Sequence, residues 1–207
     1  MKSTILLSLT ALVFAGGAAH AGVINLVTNG SFEQGALGIG SFQGWQTNLP
    51  DVNTFVDSDG INGTLYGEAT DGLWSAFFGT PAAAGGASIS QSLATTPNQL
   101  YILSFDLAND NGGLPPVNSF VVSIGGAPVF TFSNIADEAY IHEQYLFTAS
   151  ASSTALKFAG SNDQSYFDLD NVVVTPAPEP SSFALVSVGA ILLRTARRAL
   201  DRCSRKR

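Results

Sequence analysis

Between residues 22 and 175 the chain alternates polar and apolar positions in short runs broken by Gly, Asn, Asp and Pro. The clearest run is Leu100-Tyr101-Ile102-Leu103-Ser104-Phe105-Asp106-Leu107, where Tyr101, Leu103, Phe105 and Leu107 fall on one face. That period of two is the mark of a half-buried strand. The same pattern predicts strands over Val23–Val27, Thr54–Val56, Ser75–Phe78, Ser88–Leu93, Ser119–Ile124, Val129–Phe132, Glu143–Thr148, Ala155–Ala159 and Tyr166–Val174. No part of this span keeps a helical period. Phenylalanine supplies bulk for a core and glycine supplies turns. Strand count and spacing predict an all-β, two-sheet jelly-roll sandwich without internal repeats.

The two ends follow other rules. Lys2 precedes an apolar stretch from Ile5 to Ala15, and Ala19-His20-Ala21 offers small side chains at the two positions a signal peptidase reads. Residues 1–21 are therefore expected to be a signal helix, cut between Ala21 and Gly22. At the other end Pro176, Pro178 and Pro180 stiffen a linker over residues 176–180. Residues 181–196 form an apolar segment. Residues 197–207 are a basic tail, and Arg194, Arg197, Arg198, Arg202, Arg205, Lys206 and Arg207 make up its cluster. Such a cluster stays on the cytoplasmic side of a membrane, which places residues 22–175 outside.

This order resembles the PEP-CTERM sorting signal, with Pro178-Glu179-Pro180 as the tripeptide, followed by the apolar helix and the arginines. The resemblance implies a Gram-negative host with an exopolysaccharide system. It also implies an exosortase-type transpeptidase as partner, transient residence in the inner membrane, and final delivery to the cell surface, outer envelope or extracellular matrix. The apolar run from Ser181 to Leu193 would make a helix of about 20 Å against about 30 Å of hydrocarbon. A stable anchor is the competing reading of the tail.

Charge narrows the choice of partners. Between Gly22 and Pro178 there are one lysine, Lys157, and fourteen acids, a net charge of −13. A surface this acidic repels phosphate backbones, which excludes nucleic acid as a partner. The one cysteine, Cys203, lies in the basic tail, so the domain has neither disulfide nor thiol chemistry.

The opening Asn25-Leu26-Val27-Thr28-Asn29-Gly30-Ser31-Phe32-Glu33, then Gly44-Trp45, resembles the start of galactose-binding-like jelly rolls, among them several carbohydrate-binding modules. The closing Tyr166-Phe167-Asp168-Leu169-Asp170-Asn171-Val172 is similar to their last strand. The resemblance implies one structural calcium where the first and last strands meet. Glu33 and Asp170 stand at its acidic positions and Asn29 could add an oxygen. The plainer reading makes all three polar groups of turns and strand ends. The resemblance also implies saccharide recognition by an aromatic face with amides and carboxylates around it. Trp74 and Tyr66 are the candidate rings. Asn109 and Asp110, expected in the loop after the Leu100–Leu107 strand, are the candidate polar groups. Burial in the core is the competing role for Trp74, and it is the expected role for Trp45.

Catalysis has little to stand on in the sequence. His142 is the domain's one histidine, so neither a Ser-His-Asp set nor a three-nitrogen zinc site can be assembled. No acid sits in a recognisable hydrolase motif. The sequence thus points to a non-catalytic, structural or weakly carbohydrate-binding module of an extracellular polysaccharide or biofilm matrix. A carbohydrate-active enzyme or true lectin is the alternative.

Overall fold

The computed structural model describes residues 24–34, 38–39, 42–58 and 69–178. The expected signal and sorting helices, Tyr66, Glu179, Pro180 and the basic tail lie outside the described residues. Among the described residues no helix is long and apolar enough to cross a membrane.

Eleven strands are described: β1 Gly38–Ile39, β2 Gln46–Asn48, β3 Thr54–Ser58, β4 Trp74–Phe78, β5 Ala87–Ala94, β6 Leu100–Asp110, β7 Asn118–Ile124, β8 Ala127–Ser133, β9 Glu138–Thr148, β10 Ser153–Asn162 and β11 Tyr166–Pro176. They form two antiparallel sheets. The six-stranded sheet runs β1-β3-β4-β11-β6-β9 and the five-stranded sheet runs β2-β5-β10-β7-β8. Among the described residues one short 3-10 turn, Ala82–Ala84, stands between the strands.

The core lies between the sheets and is rich in phenylalanine. Phe78, Phe105, Phe120, Phe158 and Phe167 are fully enclosed. Phe78 meets Phe120 edge to face at 5.2 Å, and Phe105 meets Phe158 likewise at 5.5 Å. Each such side chain contributes about 1.5–3 kcal/mol by leaving water. Gly160 admits this packing, since a Cβ there would stand 2.9 Å from Phe120 and 3.1 Å from Phe78. Trp45 joins the core as expected: it is buried, stacks on Phe32 at 5.8 Å and donates from Nε1 to the Asn29 carbonyl at 3.1 Å.

The predicted strand Val23–Val27 does not form. Its described part, residues 24–27, lies along β11 without becoming a strand. Leu26 N–H reaches the Val174 carbonyl at 2.8 Å. The Asn25 side chain then stands in for a ladder: Oδ1 accepts from Val174 N at 2.9 Å and Nδ2 donates to the Val172 carbonyl at 3.3 Å. Gly30 presses so closely on the Val172 carbonyl that no side chain fits there.

Candidate functional site

Two outer faces could meet a ligand, and they differ in chemistry. The outer face of the five-stranded sheet is set by strand register. Gln46, Ser90, Lys157 and Ser123 line up across β2, β5, β10 and β7. The next row is Asn48, Ser88, Ala159 and Val121, continued by Thr131 of β8. These positions alternate with buried ones such as Ile89, Phe158 and Val122, so the same period of two that builds the core displays the polar groups. The described strands place hydroxyls, amides and one ammonium on this face, with no carboxylate and, on β2, β5, β10 and β7, no aromatic ring. Beneath the 3-10 turn the face dips into a hollow of about 240 Å³ bordered by Gly85, Gly86, Ser119, Val121, Ala159 and Ser161. Its groups can donate to and accept from sugar hydroxyls, but the hollow has no ring to stack on a pyranose.

The outer face of the six-stranded sheet is acidic and largely covered. Asp106 of β6 and Asp170 of β11 stand directly opposite each other. Thr70 links them: its hydroxyl donates to Asp106 Oδ2 at 2.6 Å and lies 3.1 Å from Asp170 Oδ2. Asp170 Oδ2 also accepts from the backbone N–H of Thr70 at 2.6 Å and of Asp71 at 2.8 Å, and Oδ1 accepts from Asn171 N–H at 2.6 Å. Burial nonetheless dominates and pushes the Asp170 carboxyl up to about 6, against those four hydrogen bonds. Burial acts on Asp106 in the same direction. There hydrogen bonds from Thr70, His142 and Asn171 outweigh it and hold the group below its usual range. His142, on the edge strand β9, lies with Nδ1 2.6 Å from Asp106 Oδ1 and Nε2 3.1 Å from Gln144 Nε2. Nδ1 thus faces a carboxylate and Nε2 a side-chain amide. A glutamine stands where a nucleophile would have to be, so the pair does not extend into a hydrolytic triad.

The candidate residues read from the sequence fall in different places. Glu33 Oε1 accepts from the N–H groups of Leu73 and Trp74, each at 2.7 Å, and so grips the segment that Asp170 also holds. Asn29 is a turn organiser. Its Nδ2 donates to the carbonyls of Gln34 at 3.0 Å and Gln43 at 2.8 Å, and its Oδ1 accepts from Gln34 N–H at 2.9 Å. Calcium takes six to eight oxygens. The Asp170 oxygens and Glu33 Oε1 accept from residues 70–74 and 171, so the two carboxylates clamp the segment 70–74 onto β11. Among the described residues no group of three or more His, Cys, Asp or Glu is gathered to hold a metal.

Asn109 corrects an expectation. It belongs to β6, not to a loop, and it is 1% exposed. Its Nδ2 donates to the carbonyls of Ile135 at 3.2 Å and Ala136 at 3.0 Å, and Oδ1 accepts from Asn162 at 3.2 Å. It braces the sandwich and cannot reach a ligand. Asp110, the last residue of β6, is partly exposed but occupied by Ser165 Oγ at 2.7 Å and Gly112 N–H at 2.7 Å. Trp74 packs part-buried against the core. The sequence reasoning missed Thr70, Asp106 and the rows of the five-stranded sheet. Asp106 was legible as the polar side of the Leu100–Leu107 alternation.

No protein-family model and no curated protein matches the chain. Solved structures do. TmCBM61 in complex with beta-1,4-galactotriose is similar with a TM-score of 0.55 and 12% identity, over 74% of this chain and 99% of that one. The enzymatically active domain of bacteriophage CBA120 tailspike protein 4 is similar with a TM-score of 0.53 and 16% identity. The match covers 74% of this chain but spans only 22% of the tailspike chain's length. A family 16 carbohydrate-binding module-2 matches with a TM-score of 0.47 and 18% identity, over 73% of this chain and 99% of that one. At these identities the likeness is one of fold. The two antiparallel sheets and the likeness to the TmCBM61 structure support the jelly-roll fold that the galactose-binding-like resemblance implied.

Proposed function

We propose that this chain is an exported, non-catalytic protein whose sandwich serves an extracellular polysaccharide matrix as a structural or weakly saccharide-binding module. The observation that carries this reading is the outer face of the five-stranded sheet. Hydroxyl and amide groups are ranked there across β2, β5, β10 and β7 without a carboxylate. They stand on a fold shared with a module whose structure holds a galactotriose. Without a stacking ring each sugar contributes hydrogen bonds that only exchange with water, so single-site affinity is low. Affinity electrophoresis of the mature protein in gels of soluble polysaccharides, β-1,4-galactan among them, tests this. Retardation by at least one polysaccharide is expected, and Ala159→Arg should remove most of it by filling the hollow. Retardation indifferent to Ala159→Arg would place any binding elsewhere, and absence of retardation by every polysaccharide would leave only the structural role.

Delivery belongs to the same proposal. Signal peptidase cuts before Gly22, and an exosortase-type transpeptidase acts at Pro178-Glu179-Pro180 after residues 181–196 have held the chain in the inner membrane. A Pro178→Ala, Glu179→Ala variant should stay membrane-held at precursor size. Normal maturation of that variant would refute the tripeptide's role. The tailspike likeness and the half-exposed His142 beside Asp106 favour a second reading, a carbohydrate-active enzyme. Release of new reducing ends that His142→Ala abolishes would establish it.

A further inference from the structure

The poles of the sandwich differ in charge. The chain leaves the domain beside Leu100, whose carbonyl accepts from Ala177 N–H at 2.9 Å. Among the described residues, the turns at the tip of this exit pole are residues 94–100, 124–127 and 148–153, together with residues 175–178 of the exit itself, while the β3–β4 connection, with Asp71 in it and Glu33 bonded to it, opens toward the same end further down the sheet, beside Asp170. None of the tip segments contains a charged residue, in a domain with fourteen acids. The turns are tied to one another: Thr95 N–H reaches the Ser152 carbonyl at 3.1 Å and Asn98 N–H reaches that of Ala149 at 2.8 Å. The opposite pole is acidic, with Asp51, Asp110, Asp137 and Asp163 in or beside its loops. Exposed apolar side chains occur at both poles, and at the tip of the exit pole they stand on turns without carboxylates. Leu100 and Leu146 are 41% and 59% exposed. They are diagonal neighbours on one face, since Leu100 pairs with Thr148 and Ile102 with Leu146.

We propose that the uncharged tip of this pole, centred on Leu100 and Leu146, docks on the lipid surface while the tail holds the chain in the membrane. The proposal rests on the reading of residues 181–196 as a membrane segment. Only residues 179–182 separate Pro178 from the apolar run that starts at Phe183, a reach of at most about 18 Å. A run from Ser181 to Leu193 covers about 20 Å of about 30 Å of hydrocarbon, so the linker is drawn into the headgroup layer. The exit pole is then the part of the domain brought to the surface. Its tip turns carry no carboxylate and meet anionic headgroups without direct repulsion, while the acidic pole points away.

The test uses the chain from residue 22 to 207 in a Cys203→Ser background, reconstituted in vesicles of phosphatidylethanolamine and phosphatidylglycerol containing brominated lipid. A fluorophore is placed on Ser150→Cys at the exit pole or on Leu114→Cys at the opposite one. The exit-pole probe should be quenched at least threefold more than the other. Leu100→Glu with Leu146→Glu should remove that difference, while Val117→Glu at the opposite pole should not. Equal quenching of the two probes overturns the proposal. So does a difference that survives Leu100→Glu with Leu146→Glu, because mere tethering would then explain it. Flotation separates the two ways to fail. A chain that does not float with the vesicles refutes the membrane reading of the tail, and docking with it. A chain that floats without differential quenching refutes docking alone.

Discussion

Asp170 makes stability depend on pH in a direction opposite to that of most carboxylates. It is fully buried between β4 and β6, and its carboxyl is pushed from 3.8 up to about 6. Between these values the folded chain keeps a proton that the unfolded chain has released. Stability from this group is therefore full below about pH 4 and is lost as pH rises to about 6. Two pH units correspond to about 3 kcal/mol, or about 6–12 °C in melting temperature for a domain of this size. Asp106 works the other way, since its lowered carboxyl loses stability only below its ordinary value of 3.8. Its window does not overlap. Repulsion among the other acids adds a slope of its own, so the comparison must be between variants. Asp170→Asn cannot titrate. Whatever its absolute stability, its melting temperature should fall less steeply between pH 4 and 6 than that of the wild type, and the two curves should run parallel above pH 7. Thermal melts by circular dichroism at half-unit steps measure both slopes. Equal slopes from pH 4 to 6 would show that Asp170 does not titrate in that range, and the burial argument would fail.

Two further outcomes rest on the same geometry and a third on the signal segment. Asn109→Ala removes the donors to the Ile135 and Ala136 carbonyls inside the sandwich and should cost about 2 kcal/mol in urea unfolding; a loss below about 0.5 kcal/mol would contradict its role as a brace. If Glu33 and Asp170 grip residues 70–74 with their own hydrogen bonds, calcium and chelator should leave the melting temperature of metal-free protein unchanged to within about 1 °C. A calcium-dependent rise of several degrees, of the order that linkage gives at a hundredfold excess over the dissociation constant, and abolished by Asp170→Ala, would instead place an ion there. Ala19→Arg should block removal of the signal segment, and mass spectrometry finding Gly22 at the N-terminus of that variant would refute the cleavage site.

Much of the sandwich was legible because alternation is a local signal. The runs predicted around β3 to β11 all appear as strands, mostly longer by a few residues. Where a side chain replaces a backbone partner the pattern misleads, as Asn25 does beside β11. The strands β1 and β2 were missed because Gly38–Ile39 is two residues long and Gln46–Asn48 has three exposed positions with no apolar member. Asn109 shows a signal left unread: continuing Tyr101, Leu103, Phe105 and Leu107 by two puts it on the core face. Thr70, Asp106, His142 and Asp170 were not legible as a group. They lie up to 100 residues apart; the register of β6 against β9 and β11 brings the last three together, and Thr70 reaches them from the β3–β4 connection through its own hydrogen bonds. The rows on the five-stranded sheet were hidden for the same reason. Serines and alanines scattered over four strands resemble ordinary surface until register aligns them.

Saccharide contact, where it occurs, should use the outer face of the five-stranded sheet and end without chemistry. Titrating the isotopically labelled mature protein with β-1,4-galacto-oligosaccharides and other matrix-type oligosaccharides, followed by amide chemical shifts, tests it most directly. Fast-exchange shifts concentrated on Ser88, Ser90, Ser119, Val121, Lys157 and Ala159 are expected, with the oligosaccharide recovered intact. Shifts centred on Asp106 and His142 with shortened oligosaccharide in solution would contradict it.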